Sequence, residues 1–163
     1  MGIDLRGVDE GVFLMGNILF CLHLDLKNEF KHMMYYLNAA VFVEGLHREE
    51  LREFFLKEAQ EEMEHVKEFS DMIRNLGEYP VPGAEPDKTP FPSDPYKILE
   101  HIIQMETEVA NNYAERLKQT DGMENGEIAA IHVFYEDQVS HSQNTAWELK
   151  KWIKKFPVTV VPE

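Results

Sequence analysis

Residues 77–95 read GEYPVPGAEPDKTPFPSDP, and six of the chain's eight prolines fall among them. Proline has no amide proton, and its ring collides with the preceding helical turn, so this stretch cannot be helix. It closes on Ser93, Asp94 and Pro95. A capping side chain followed by proline in the first turn marks a helix start. The segment is therefore a link that separates two helical regions.

Helical periodicity dominates on both sides of it. The pattern predicts helices over 9–44, 47–76, 95–119 and 126–155. The first two meet at a short joint around Gly45, and the last two at TDGMENG, residues 120–126, a cluster of turn formers. The second helix would span about 45 Å at about 1.5 Å per residue. Residues 77–94, extended as polyproline, reach about 55 Å at about 3.1 Å per residue. The link can thus run the full length of a bundle. The expected fold class is all-α, a four-helix bundle of two antiparallel hairpins with a long crossover, with residues 1–163 forming one domain. The tail FPVTVVPE, residues 156–163, is short and apolar with no helix of its own.

Composition limits the function classes. The chain is 44% apolar and 28% charged, the balance of a folded globular protein. Its net charge of −14, with no basic run, argues against nucleic acid as a partner. The single cysteine, Cys21, excludes an intrachain disulfide framework and a zinc–thiolate site. No apolar run is long enough for a membrane span, and the start lacks a signal-like segment, so a cytoplasmic protein away from membranes is expected.

The inward stripes carry the chemistry. The first helix presents Leu19, Leu22, Leu26, Glu29, Met33, Tyr36, Ala40 and Val43 at alternating steps of three and four. Glu29 interrupts that seam. Glu62 interrupts the second, formed by Phe55, Ala59, Val66, Phe69, Ile73 and Leu76. Glu106 interrupts the third, among Leu99, Ile102, Val109, Tyr113 and Leu117. Gln138 takes the matching place in the fourth, with Ile128, Ile131, Tyr135, Ser142, Thr145, Leu149 and Trp152.

These intruders lie at matching levels. Residues 29 and 62 are equidistant from the Gly45 joint, and 106 and 138 from the 120–126 turn. The hairpins also repeat a pattern. Glu29 is followed by Tyr36, Glu62 and His65 at +7, +33 and +36, and Glu106 by Tyr113, Gln138 and His141 at +7, +32 and +35. Several carboxylates in an apolar core repel one another and lose hydration, and metal cations remove both costs. A glutamate from each of two helices, with Glu-x-x-His from the others, is the di-iron arrangement of helical bundles. Glu29, Glu62, His65, Glu106, Gln138 and His141 supply oxygen and nitrogen, which suits iron or manganese.

Over residues 20–150 the sequence resembles the ferritin-like di-iron family, bacterioferritin and ferritin most closely. NEFKHMMYY, residues 28–36, is similar to the first ligand segment. EEMEH, residues 61–65, is similar to the second, QMETE, residues 104–108, to the third, and QVSH, residues 138–141, to the fourth. The resemblance implies Glu29 and His65 as terminal ligands, Glu62 as the bridge between two irons, Glu106 as the other acidic ligand, and Tyr36 beside the ferroxidase centre. Gln138 stands where bacterioferritin has a bridging glutamate. Met63 occupies the place of the methionine that binds haem across a subunit interface there. The implied activity is ferroxidase chemistry, Fe(II) oxidised by O2 or hydrogen peroxide at two iron ions per subunit, with iron storage if a hollow shell forms. A rubrerythrin-like peroxidase without storage and a non-catalytic helical interaction module are the alternatives. Met63, Trp147 and the tail offer apolar surface, so a homo-oligomer, dimer or closed shell, is expected. Glu61, Glu64 and Glu68 read as a solvated face, and His32 as half of a solvated Glu-x-x-His pair.

Overall fold

The computed structural model describes residues 10–85, 90–123 and 125–156. It contains four helices and, among the described residues, no strand: α1 (Glu10–Phe42), α2 (Arg48–Asn75), α3 (Pro95–Thr120) and α4 (Gly126–Ile153). The predicted helices are all present, with ends within two residues of those expected. The expectations for the tail beyond Phe156 lie outside the described residues.

The helix ends follow from local chemistry. Asp94 caps α3, its carboxylate accepting from the Tyr96 amide, and Pro95 takes the first helical position, where no amide donor is needed. Asn125 caps α4 by accepting from the amides of Glu127 and Ile128. At the end of α2, the Gly77 amide donates to Arg74 O and the Glu78 amide to Ile73 O. That paired arrangement needs a left-handed residue, and Gly77 supplies it with φ +87°.

α1 packs on α2, and α3 on α4, as antiparallel hairpins. The link returns to the end of the bundle opposite the one where α2 stops. The Glu44 amide donates to Ser93 O at 3.0 Å, and Phe91 packs on Tyr35 and Phe42. Gly45, with φ +102°, turns α1 into α2 directly beside Pro95. α3 therefore starts at the α1–α2 turn and runs parallel to α2.

Two apolar clusters fill the interior. One, around Tyr36, Leu51, Phe55, Ile98, Leu99 and Leu149, lies near the α1–α2 turn. The other, around Leu22, Leu26, Phe69, Ile73, Tyr113 and Ile131, fills the far end. The inward stripes of α2, α3 and α4 are as expected, save that Val66, Leu76, Leu117 and Trp152 are only half-buried. α1 is rotated slightly from its predicted seam. Ile18 is buried where Leu19 was expected, and His32 where Met33 was. That rotation also brings Asp25 fully inside.

Candidate metal centre

Between the two apolar clusters lies a layer of buried polar side chains. α2 contributes Glu58, Glu62 and His65, spaced four and three apart and so on one face. α1 contributes Glu29 and His32, α3 Glu106, and α4 Gln138 and His141; all but the half-buried His141 are buried. His65 Nδ1 lies 3.2 Å from Glu62 Oε2 and 3.3 Å from Glu29 Oε2. Its ring meets that of His141 edge-on, with centroids 4.2 Å apart.

The repeat seen in the sequence becomes a reciprocal contact. Tyr36 OH donates to Glu106 Oε1 at 2.8 Å, and Tyr113 OH donates to Glu29 Oε1. Each tyrosine, seven residues after a glutamate, thus reaches the equivalent glutamate of the other hairpin.

Burial sets the electrostatics. It raises the pKa of Glu62, with the Glu29 charge adding to the effect, and that of Glu106, with the Glu62 charge adding. Burial and the charge of Glu61 push Glu58 up to about 7. For His65 burial opposes the charged form, yet the hydrogen bonds to Glu29 and Glu62 outweigh it and raise the pKa. Burial lowers His32 and His141, which favours neutral imidazoles with a free lone pair. His65 is thus the one imidazole of the layer held in its charged form, too little positive charge for the four buried glutamates Glu29, Glu58, Glu62 and Glu106.

A divalent cation fits that deficit. Ligand atoms of Glu62, His65 and His141 lie within 4.8 Å of one another, and so do those of His32, Glu62 and Glu106. Glu62 belongs to both groups. His141 Nε2 is buried without a hydrogen-bond partner, and Glu61 Oε2 stands 4.0 Å away, beyond hydrogen-bond reach. An unpaired buried nitrogen costs free energy, and coordination would satisfy it. The donor set of carboxylates and imidazoles, with no thiolate, suits iron or manganese.

The sequence reading and the geometry differ in places. Gln138 is buried as expected, while Glu136 and Asp137 face solvent. Its described hydrogen bond runs from Nε2 to Glu68 Oε2 at 2.9 Å, across to α2 and not toward Glu106. Glu61 is half-buried beside His141, while Glu64 and Glu68 are both exposed, as expected of a solvated face. Met63 points outward and is 51% exposed. His32 and Glu58 were missed as members of the layer. His32 could have been found by starting the α1 seam at Ile18, since 18, 22, 25, 29, 32 and 36 also step by three and four. Glu58, one turn before Glu62, is on the same face.

A cleft of about 310 Å3 between α2 and α4 leads to this layer, lined by Glu58, Glu61, His141 and Glu148 among others. Its three glutamates outnumber the one lysine, Lys57, with Phe54 and Trp152 also in its walls, and it opens beside the unpaired histidine.

The model of the ferritin-like domain family matches residues 21–158. The chain belongs to the ferritin-like family. No curated protein matches it. Solved structures do. A ferritin-like di-iron carboxylate protein from Bacillus anthracis shares 26% identity and a TM-score of 0.76, over 86% of this chain and 97% of that one. A DPS protein from Vibrio cholerae shares 15% identity and a TM-score of 0.75, over 94% and 98%. The thioferritin of Bacteroides fragilis, a bacterioferritin-related protein described as dodecameric, shares 22% identity and a TM-score of 0.59, over 88% and 95%. The last two establish the fold alone. No described helix of this ferritin-like chain is long and apolar enough to cross a membrane.

Proposed function

We propose that this ferritin-like protein is a ferroxidase that binds two Fe(II) per subunit and oxidises them with O2 or hydrogen peroxide. The observation that carries the reading is Glu62, common to two ligand groups. A carboxylate with two oxygens can hold one cation on each side and keep the pair close enough to react with a single oxidant. The first iron would take His65 and His141 with Glu62, and Glu29 beside them. The second would take His32 and Glu106. His32 joins the expected ligands, while Gln138, whose Nε2 donates to Glu68, would have only its Oε1 to offer a metal.

Carboxylates favour Fe(III) over Fe(II) because their charge stabilises the more positive ion. Each Fe(II) releases one electron, and the pair can reduce one hydrogen peroxide to two waters. Tyr36 holds Glu106 in place through its hydroxyl. The cleft between α2 and α4 offers Fe(II) a path inward.

Iron storage belongs to this reading if copies close into a shell; the thioferritin of Bacteroides fragilis is described as a dodecamer. Haem at a two-fold interface is a separate proposal resting on the outward-facing Met63; a haem absorption band lost in Met63→Leu tests it.

The experiment that tests the ferroxidase reading is an anaerobic Fe(II) titration by calorimetry, followed by stopped-flow oxidation. Two unequal binding steps and rapid oxidation are expected. A flat titration sinks the metal assignment, and slow oxidation of bound iron leaves only a binding protein. Particle size then separates a storage shell from a rubrerythrin-like peroxidase.

A further inference from the structure

A second buried polar cluster adjoins the metal centre and is not used by it. Asp25, on α1 one turn before Glu29, is fully buried. Arg116 of α3 pairs with both of its oxygens, Nε with Oδ2 and Nη2 with Oδ1, each at 3.2 Å. Tyr135 of α4, also buried, donates to Asp25 Oδ2 at 2.8 Å. The Tyr135 ring lies 5.6 Å from that of Tyr113, and Tyr113 donates to Glu29. A continuous path therefore joins Glu29, Tyr113, Tyr135 and Asp25.

Stability alone is a weak reason for such a cluster, since apolar residues of similar volume serve a core as well as a buried ion pair. The arrangement does match what one-electron oxidation of a phenol requires. The phenol must release a proton as it gives up an electron, and the acceptor must already be hydrogen-bonded to it. Tyr36 and Tyr113 donate to Glu106 and Glu29, carboxylates needed for cations. The partner of Tyr135 is Asp25, which lies outside both ligand groups. Arg116, paired with both oxygens of that carboxylate, favours its ionised, proton-accepting form against the opposing effect of burial.

We propose that Tyr135 is a one-electron donor to the metal centre, sending its electron through Tyr113 and its proton to Asp25. The proposal rests on the ferroxidase reading. Hydrogen peroxide takes up two electrons and two protons to become two waters. When the centre holds one Fe(II), that ion supplies one electron and becomes Fe(III). Tyr135 supplies the other and becomes a phenoxyl radical. Solvent provides both protons while Asp25 retains that of the phenol.

The test loads the full-length protein anaerobically with one Fe(II) per subunit, adds hydrogen peroxide and freezes the mixture for electron paramagnetic resonance. A tyrosyl radical is expected in the parent. Tyr135→Phe keeps the ring and its packing, removes the hydroxyl, and should lose the signal while binding Fe(II) as the parent does. Asp25→Asn, which cannot accept the proton, should delay the radical, and this second variant serves if the first does not fold. A radical that survives in Tyr135→Phe, or forms at the parent rate in Asp25→Asn, overturns the assignment. Iron that binds and is oxidised without any tyrosyl radical overturns this proposal and leaves the ferroxidase reading standing. Failure to bind Fe(II) defeats both.

Discussion

Glu62 concentrates the chemistry of this protein in one side chain. Glu62→Gln keeps the volume but removes the charge that lets one group hold two cations. Rapid Fe(II) oxidation should disappear in stopped-flow measurements, while the metal-free protein should melt no lower than the parent, because an amide is easier to bury than a carboxylate. Oxidation at the parent rate would mean that Glu62 is not the bridge. Gln138→Glu tests the opposite case. It replaces the donor to Glu68 Oε2, now 2.9 Å away, with a second carboxylate. The metal-free protein should melt lower through like-charge repulsion, and Fe(II) should bind more tightly because the layer gains an anion. If neither quantity moves, Gln138 lies outside the reach of the metals.

At the scale of the helices, stability depends on how their ends are closed. Asn125 satisfies two amides that α4 cannot pair internally. Asn125→Ala should cost about 1 kcal/mol, a fall in melting temperature of roughly 2–4 °C for a chain of this size. Thermal unfolding of the metal-free protein measures it. The same change at an exposed mid-helix position of α4 should have little effect, which isolates the cap. α1 shows how an element can be legible while its rotation is not. Its length and most of its apolar face could be read from the pattern. Leu19 and Met33 nonetheless fit an inward stripe as well as Ile18 and His32 do on apolarity alone, and packing against α2 and α3 chooses between them.

Over the whole molecule, the buried charges make the metal-free state sensitive to pH. Glu58 and Glu62 each rise from an ordinary 4.5 to about 7, and His65 rises above 6.5. In all three the folded state holds its proton more tightly than the unfolded chain. Their contribution is therefore present at low pH and lost as pH rises, from 4.5 through about 7 for the glutamates and above 6.5 for the histidine. His32 and His141, with lowered values, act in the other sense below 6.5. The melting temperature of the metal-free protein should consequently fall as pH rises from 4.5 through about 7 with the glutamates, and continue to fall above that with His65, and bound Fe(II) should flatten the first part by neutralising the carboxylates. A metal-free protein whose melting is independent of pH over that range would contradict the buried layer. Assembly is the other property of this scale. Phe13 and Phe20, 68% and 70% exposed, lie two turns apart on one face of α1, with Leu24 on the same face. Such a patch favours a partner. Light scattering should show at least a dimer, and Phe20→Glu should shift it toward monomer.

The sequence alone determined the four helices, their hairpin pairing and the level of the polar layer. Proline placement, helical periodicity and distance from a turn are local or one-dimensional quantities, and they do not depend on how the helices finally pack. Glu29, Glu62 and Glu106 could be found because each breaks an apolar stripe, and His65 because it follows Glu62 by three residues and recurs as His141 in the second hairpin. Asp25, His32 and Glu58 were hidden because a polar residue beside a stripe looks solvated until neighbouring helices cover it. Only the tertiary structure decided that His32 joins Glu62 and Glu106, that Gln138 turns to Glu68, and that Tyr135 meets Asp25 and Arg116. Those contacts bring together residues from different helices, and their geometry is set by helix rotation and interhelical packing, which a stripe of residue types does not encode.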